Sequence, residues 1–132
     1  GNIKDSRKVK NLVVDSGLAF IASRMSGTSK AIMSHMALGS STTNAAANQT
    51  DLVSVLGSRE ALDSTTIAGT NDEQIQYQAS FEAGDATGAV TEAGIFNAAT
   101  AGDMLCRTKF DVVNKAADDT MSVTWTITLS AS

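Results

Sequence analysis

The sequence predicts a mainly β protein: an antiparallel β-sandwich, jelly-roll-like, with one N-terminal helix. Three observations lead there. Apolar and polar residues alternate with a period of two in three separate segments of the C-terminal half. Turn-forming Gly, Asn and Asp recur between those segments, while the chain of 132 residues has ten Gly and no Pro. No helical pattern is interleaved with the strands, which argues against a parallel α/β sheet. At this length one core is expected, so the chain divides into an extended basic arm over 1–10 and a single domain over 11–132.

Taken in order, the arm "GNIKDSRKVK" sets Lys4, Arg7, Lys8 and Lys10 against Asp5 and carries +3, leaving −7 on the rest of a chain whose net charge is −4. An arm of this kind suits nucleic acid or an acidic surface on another protein, or it is a solvated end. Residues 11–26 follow as the helix. Val14, Leu18, Ile21 and Met25 form one stripe at i, i+4, i+7 and i+11, and Gly27 stands where the helix should stop. Asp15 breaks the apolar run that follows the basic residues, so this region reads neither as a signal peptide nor as a membrane span. "AIMSHMALG" is a strand and "SSTTNAAANQT" (40–50) a loop of small residues. Thr50 is placed to cap a short helical turn through "DLVSVLG".

From Gln74 onward the period is two. In "EQIQYQASF", Ile75, Tyr77, Ala79 and Phe81 share one face. In "DMLCRTKFDV", Met104, Cys106, Thr108, Phe110 and Val112 oppose Leu105, Arg107, Lys109 and Asp111. In "MSVTWTITLS", Met121, Val123, Trp125, Ile127 and Leu129 alternate with Ser and Thr. The apolar sets are expected in the core and the polar sets outside it.

Residues that carry chemistry are few. His35 is the only histidine, lies between methionines and has no G-x-S-x-G nucleophile motif to serve. Cys106 belongs to an inward-facing set, and a single cysteine closes no intrachain disulfide. One His and one Cys do not make a zinc site, and "NDE" (71–73) and "ADD" (117–119) lack calcium-loop spacing. No catalytic residue, metal or cofactor is therefore expected. Nucleic-acid binding is disfavoured by an acidic body with 5% aromatic residues. The one unusual acid is Glu92 in "AVTEAGIFNA". A carboxylate without a mate is a poor catalyst, so Glu92 is expected as a polar clasp at a strand start, accepting backbone N–H groups or pairing with Arg59 or Arg107.

In order and spacing, "NLVVDSGLAFIASRM", "MALGSSTTNAAANQTDL", Arg59, "IQYQASF", "VTEAGIFNA", "GDMLCRTKF" and "VTWTITL" resemble a family of small virion structural proteins of tailed bacteriophages. The likeness covers roughly residues 11–130. It implies a non-enzymatic capsid decoration (cement) protein, made in the host cytoplasm and binding the capsid exterior through the major capsid protein. It also implies copies of itself as partners, with a trimer expected; no nucleic acid or membrane partner is expected, on the composition and the broken apolar run given above. Members are described as tail or fibre components too, so a tail, fibre or baseplate position is the alternative. A sugar-binding β-sandwich comes third, because such sites display aromatics on an exposed face and Tyr77 and Trp125 both fall in the inward sets. Under the decoration reading Lys4, Arg7, Lys8 and Lys10 are the candidate contacts to the capsid or to a neighbouring subunit.

Overall fold

The computed structural model describes residues 2–3, 11–27 and 30–130. In chain order the elements are β1 (Asn2–Ile3), β2 (Asn11–Val13), α1 (Asp15–Met25), β3 (His35–Gly39), β4 (Glu60–Ala61) and β5 (Ser64–Ala68). The long strands follow: β6 (Gln74–Phe81), β7 (Gly88–Phe96), β8 (Met104–Lys115) and β9 (Thr120–Thr128). They make two sheets, one in the order β1-β9-β6-β5 and the other β2-β8-β7-β3-β4. Every pairing is antiparallel except the short one between β1 and β9. The chain leaves the first sheet after β6, forms the β7–β8 hairpin in the second and returns to pair β9 with β6. The protein is a β-sandwich with one helix.

The expected alternation places β6 and β9. Tyr77, Phe81 and Trp125 are buried between the sheets, with Ile75, Val123 and Ile127 packed at the margin of the same core. They meet Met36, Leu38, Val90, Ile95 and Cys106 of the second sheet. Leu129 departs from expectation: it lies just past β9 and is 59% exposed. In β8 the two-residue rule fails twice. From Met104 to Thr108 every residue is buried, because the sheet is covered on both faces there. Further on, the register slips opposite Val90–Glu92, so Phe110 is only half-buried and Val112 turns outward while Val113 turns in. A bulge of this kind shifts the phase of a strand, which no regular pattern anticipates.

The helix begins later than the sequence suggests. Asn11–Val13 pair with Thr108, Arg107 and Cys106 of β8, so the start of the expected 11–26 helix is an edge strand instead. Val14 is the N-cap and is fully buried, and Asp15 in the first turn and Arg24 in the last suit the helix dipole. The expected stripe is only partly inward. Ile21 packs against the core, but Leu18 and Met25 are exposed. The buried face is Gly17 and Phe20, turned away from that stripe. Gly17 explains the rotation. A Cβ there would come within 2.0 Å of the Leu105 carbonyl oxygen, so the helix rests its backbone directly on β8. The Ser16 hydroxyl donates to the Met104 carbonyl beside it (2.8 Å).

Residues 51–57 form no helical turn. Ser54 and Leu56 bond to Ser40 and Leu38, and Val55 bridges Gly39, so the segment runs along β3 as an extended chain. The backbone of β3 offers it more hydrogen bonds than one isolated turn would.

Substituting Gly17→Ala tests the helix docking. Alanine favours the helix by about 1 kcal/mol, but the contact with β8 opposes it by about 1–3 kcal/mol. Net loss is expected, seen as a Tm lowered by several degrees in a thermal melt; a raised Tm would show that the helix can lift without cost.

Candidate functional site

Glu92 lies in the middle of β7 rather than at a strand start, and it is fully buried. Its side chain points to the face of the second sheet that turns away from the sandwich core. Cover comes from residues 41–53, which cross that face as a third layer before 54–56 run along β3. Leu52, Phe96, Met104, Ala37 and Val14 pack there as a small second core.

The carboxylate accepts four hydrogen bonds. Oε1 takes the Val53 N–H (3.0 Å) and Arg107 Nε (3.0 Å), and Arg107 Nη2 completes the ion pair at 2.9 Å. Oε2 takes the N–H groups of Ser41 (3.0 Å) and Ser54 (2.8 Å). Arg107 is buried as completely as its partner and continues outward, Nη2 to the Thr43 carbonyl (3.0 Å) and Nη1 to Gln49 Oε1 (3.3 Å). Gln49 in turn takes the Ala46 N–H, and the Thr91 hydroxyl donates to the Ser41 carbonyl. Among the described residues no buried side-chain nitrogen or oxygen lacks a partner. Gly39, opposite Glu92 in β3, makes room: a Cβ there would lie 2.5 Å from Oε2.

Of the two arginines expected near Glu92, only Arg107 reaches it. Arg59 sits at the other end of the loop layer. Its guanidinium lies 3.6 Å over the Phe96 ring and donates to the carbonyls of Ala98 (2.9 Å) and Ala101 (2.8 Å), with Asp51 at 3.7 Å. Burial lowers its pKa while Asp51 opposes that shift, and it remains a cation. Arg59 therefore ties the 97–103 turn to the loop layer.

The remaining candidates are placed as follows. Lys4, Arg7, Lys8 and Lys10 lie outside the described residues. His35 is half-exposed in β3 with Nδ1 2.7 Å from the Ser34 hydroxyl, and Cys106 is buried. Tyr77 and Trp125 are buried in the core, not displayed for stacking on a sugar, and burial raises the Tyr77 pKa. The acids of "NDE" and "ADD" cap their own turns: Glu73 accepts the Asn71 N–H and Asp119 the Ala116 N–H. Among the described residues no group of three His, Cys, Asp or Glu is placed to hold a metal, and no helix is long and apolar enough to cross a membrane.

Two features were not read from the sequence. Lys115 is buried and donates to the carbonyls of Glu82 (2.8 Å) and Asp119 (2.7 Å), fastening two turns at one end of the sandwich. Its neighbour Asp119 has its pKa lowered chiefly by the Ala116 N–H. Near the same end Glu60 stands by Asp85, Glu82 and Asp63, and its pKa is raised, first by burial and then by Asp85. Nothing in the local sequence brings these acids together; the β4–β6 approach does.

Compared with known protein families, the chain matches no family model. A search of curated proteins likewise finds no match. Fold and site together define a small β-sandwich protein braced by an internal ion pair. The site's acid and base are spent on holding a loop.

Two outcomes are expected. Glu92→Gln replaces one acceptor oxygen by an amide that must face N–H donors, and leaves Arg107 charged and buried without its counter-ion. It should cost about 3–5 kcal/mol and open residues 40–56 to protease, measured by denaturant unfolding and limited proteolysis. For Glu60 the raised pKa means that the folded state binds its proton more tightly than the unfolded chain. That stability is present below about the ordinary value of 4.5 and lost as pH rises through the raised one. Glu60→Gln should raise Tm slightly at pH 7 and leave it unchanged at pH 4.

Proposed function

We propose that this is a non-enzymatic structural protein of a tailed-bacteriophage virion, a capsid decoration protein that binds the head exterior as an oligomer and stabilises it. The observation that carries the reading is the clasp. A fully buried carboxylate and guanidinium are consumed in locking residues 40–56 onto the second sheet. This makes a rigid three-layered body, which suits a part that must hold its shape under load. The order of motifs along residues 11–130, similar to that of small virion proteins, supports the same reading. With a single cysteine, such a part cannot draw on an intrachain disulfide for rigidity, so internal polar bonds take that role.

Binding would draw on many weak contacts repeated over the particle. The basic residues Lys4, Arg7, Lys8 and Lys10 are suited to an acidic coat surface, and a contact of that kind weakens with salt.

The test uses expanded heads of a phage that carries this protein, stripped of it. Adding back the full chain should raise the temperature at which heads burst. Changing Lys4, Arg7, Lys8 and Lys10 to Ala should weaken binding and flatten its salt dependence. Heads that neither bind the protein nor gain stability would overturn the reading, and immunogold label confined to the tail would move the protein to the tail alternative.

A further inference from the structure

Sheet edges differ sharply in this molecule. Among the described residues β1, β2 and β4 are edge strands of two, three and two residues, and β4 carries Glu60. Short strands and charges are the usual means by which an edge avoids pairing with another chain. The fourth edge, β5, has neither protection. It is five residues long, pairs only with β6, and is exposed from Ser64 to Ile67. Its sequence "STTIA" holds no charge or proline and three β-branched residues in a row.

We propose that β5 is a self-association surface, pairing antiparallel with β5 of a second copy about a two-fold axis. Three observations favour a copy of this chain as the occupant. First, the register is self-complementary. Ile67 stands in a row with Ile75 and Ile127, and Thr65 in a row with Tyr77 and Trp125. Centring the two-fold on Thr66 sets each Ile67 opposite Thr65 of the other copy. The isoleucine row of one sheet then runs on into the Thr65–Tyr77–Trp125 row of the other, and Ile67, 58% exposed in the single copy, gains a β-branched neighbour. Second, beyond residue 10 the chain carries −7, so two copies repel unless they meet where charge is absent. Residues 64–70 are uncharged, and the flanking outer face of β6 and β9 presents only Gln, Ser and Thr. Third, the edge is held ready. The turn into β6 is tied by Asp72 N–H to the Gly69 carbonyl and by Asn71 N–H to Glu73, so little ordering is needed on pairing.

One five-residue strand buries less surface than a permanent dimer requires, so the pairing is reversible in solution. It gives a two-fold pair in place of the trimer expected from the resemblance. It stands independently of the virion reading, because it concerns the isolated protein.

Sedimentation velocity of the full chain across a concentration series tests it. A monomer–dimer equilibrium is expected, tightened by added salt as the repulsion of the acidic bodies is screened. Ile67→Lys and Thr65→Lys, each an exposed position, should leave Tm unchanged and weaken the dimer about tenfold or more. A Thr66→Cys variant should form an intermolecular cross-link with a short thiol reagent, since Cys106 is buried. A monomer at every concentration up to about 1 mM, or an oligomer that survives both lysine substitutions, would overturn the proposal.

Discussion

The arrangement of this protein depends on a carboxylate removed from water at the centre of a β-strand. Moving a charge of that kind into the interior costs several kcal/mol even after the surroundings relax, and only a complete set of donors offsets it. Glu92 draws its donors from three places: the guanidinium of Arg107 on the neighbouring strand, the start of the 40–56 loop at Ser41, and its end at Val53 and Ser54. The path the loop takes supplies all of them at once. Along that path Gly39 must lack a side chain, and the outer face of the second sheet becomes a second apolar core rather than a wet surface.

That arrangement also accounts for what could and could not be read from the residues. The alternation in "EQIQYQASF" and "MSVTWTITLS" predicts the two strands whose outer face stays wet, because a period of two records a sheet with one dry side. It fails in β8, where both sides are dry between Met104 and Thr108 and Arg107 is as buried as Cys106. Glu92 stands out in the sequence as an acid among small residues, and its clasp role follows from chemistry alone, but Arg59 and Arg107 are equal candidates as its partner until the structure shows that only Arg107 reaches it. Its backbone partners, thirty-eight to fifty-one residues away, do not follow from chemistry, since nothing local marks Ser41 or Ser54. The helix shows a different limit. Its apolar stripe suggests Leu18 and Met25 as core residues, yet close approach of backbone to backbone at Gly17 turns them outward. The short strands β4 and β5 carry too few apolar residues to leave a pattern.

The two sheets consequently face their surroundings in different ways. One is roofed by its own loop and fixed by internal polar bonds. The other leaves Gln, Ser and Thr on an uncharged face that ends in an unprotected strand. The proposed roles divide along the same line, with internal bonds fixing one side and the open strand edge left to contacts with other chains.

The clasp has a bearing on time as well as on energy. Its donors come from residues far apart in the chain, so it can close only after β3, β7 and β8 have aligned, and contacts that form late contribute little to the folding barrier. Their whole strength is then felt in the opposite direction, as slowness to unfold. A protein built this way would gain lifetime in full measure with the depth the clasp adds to its free-energy minimum, because the first charge must be prised loose before the chain comes apart.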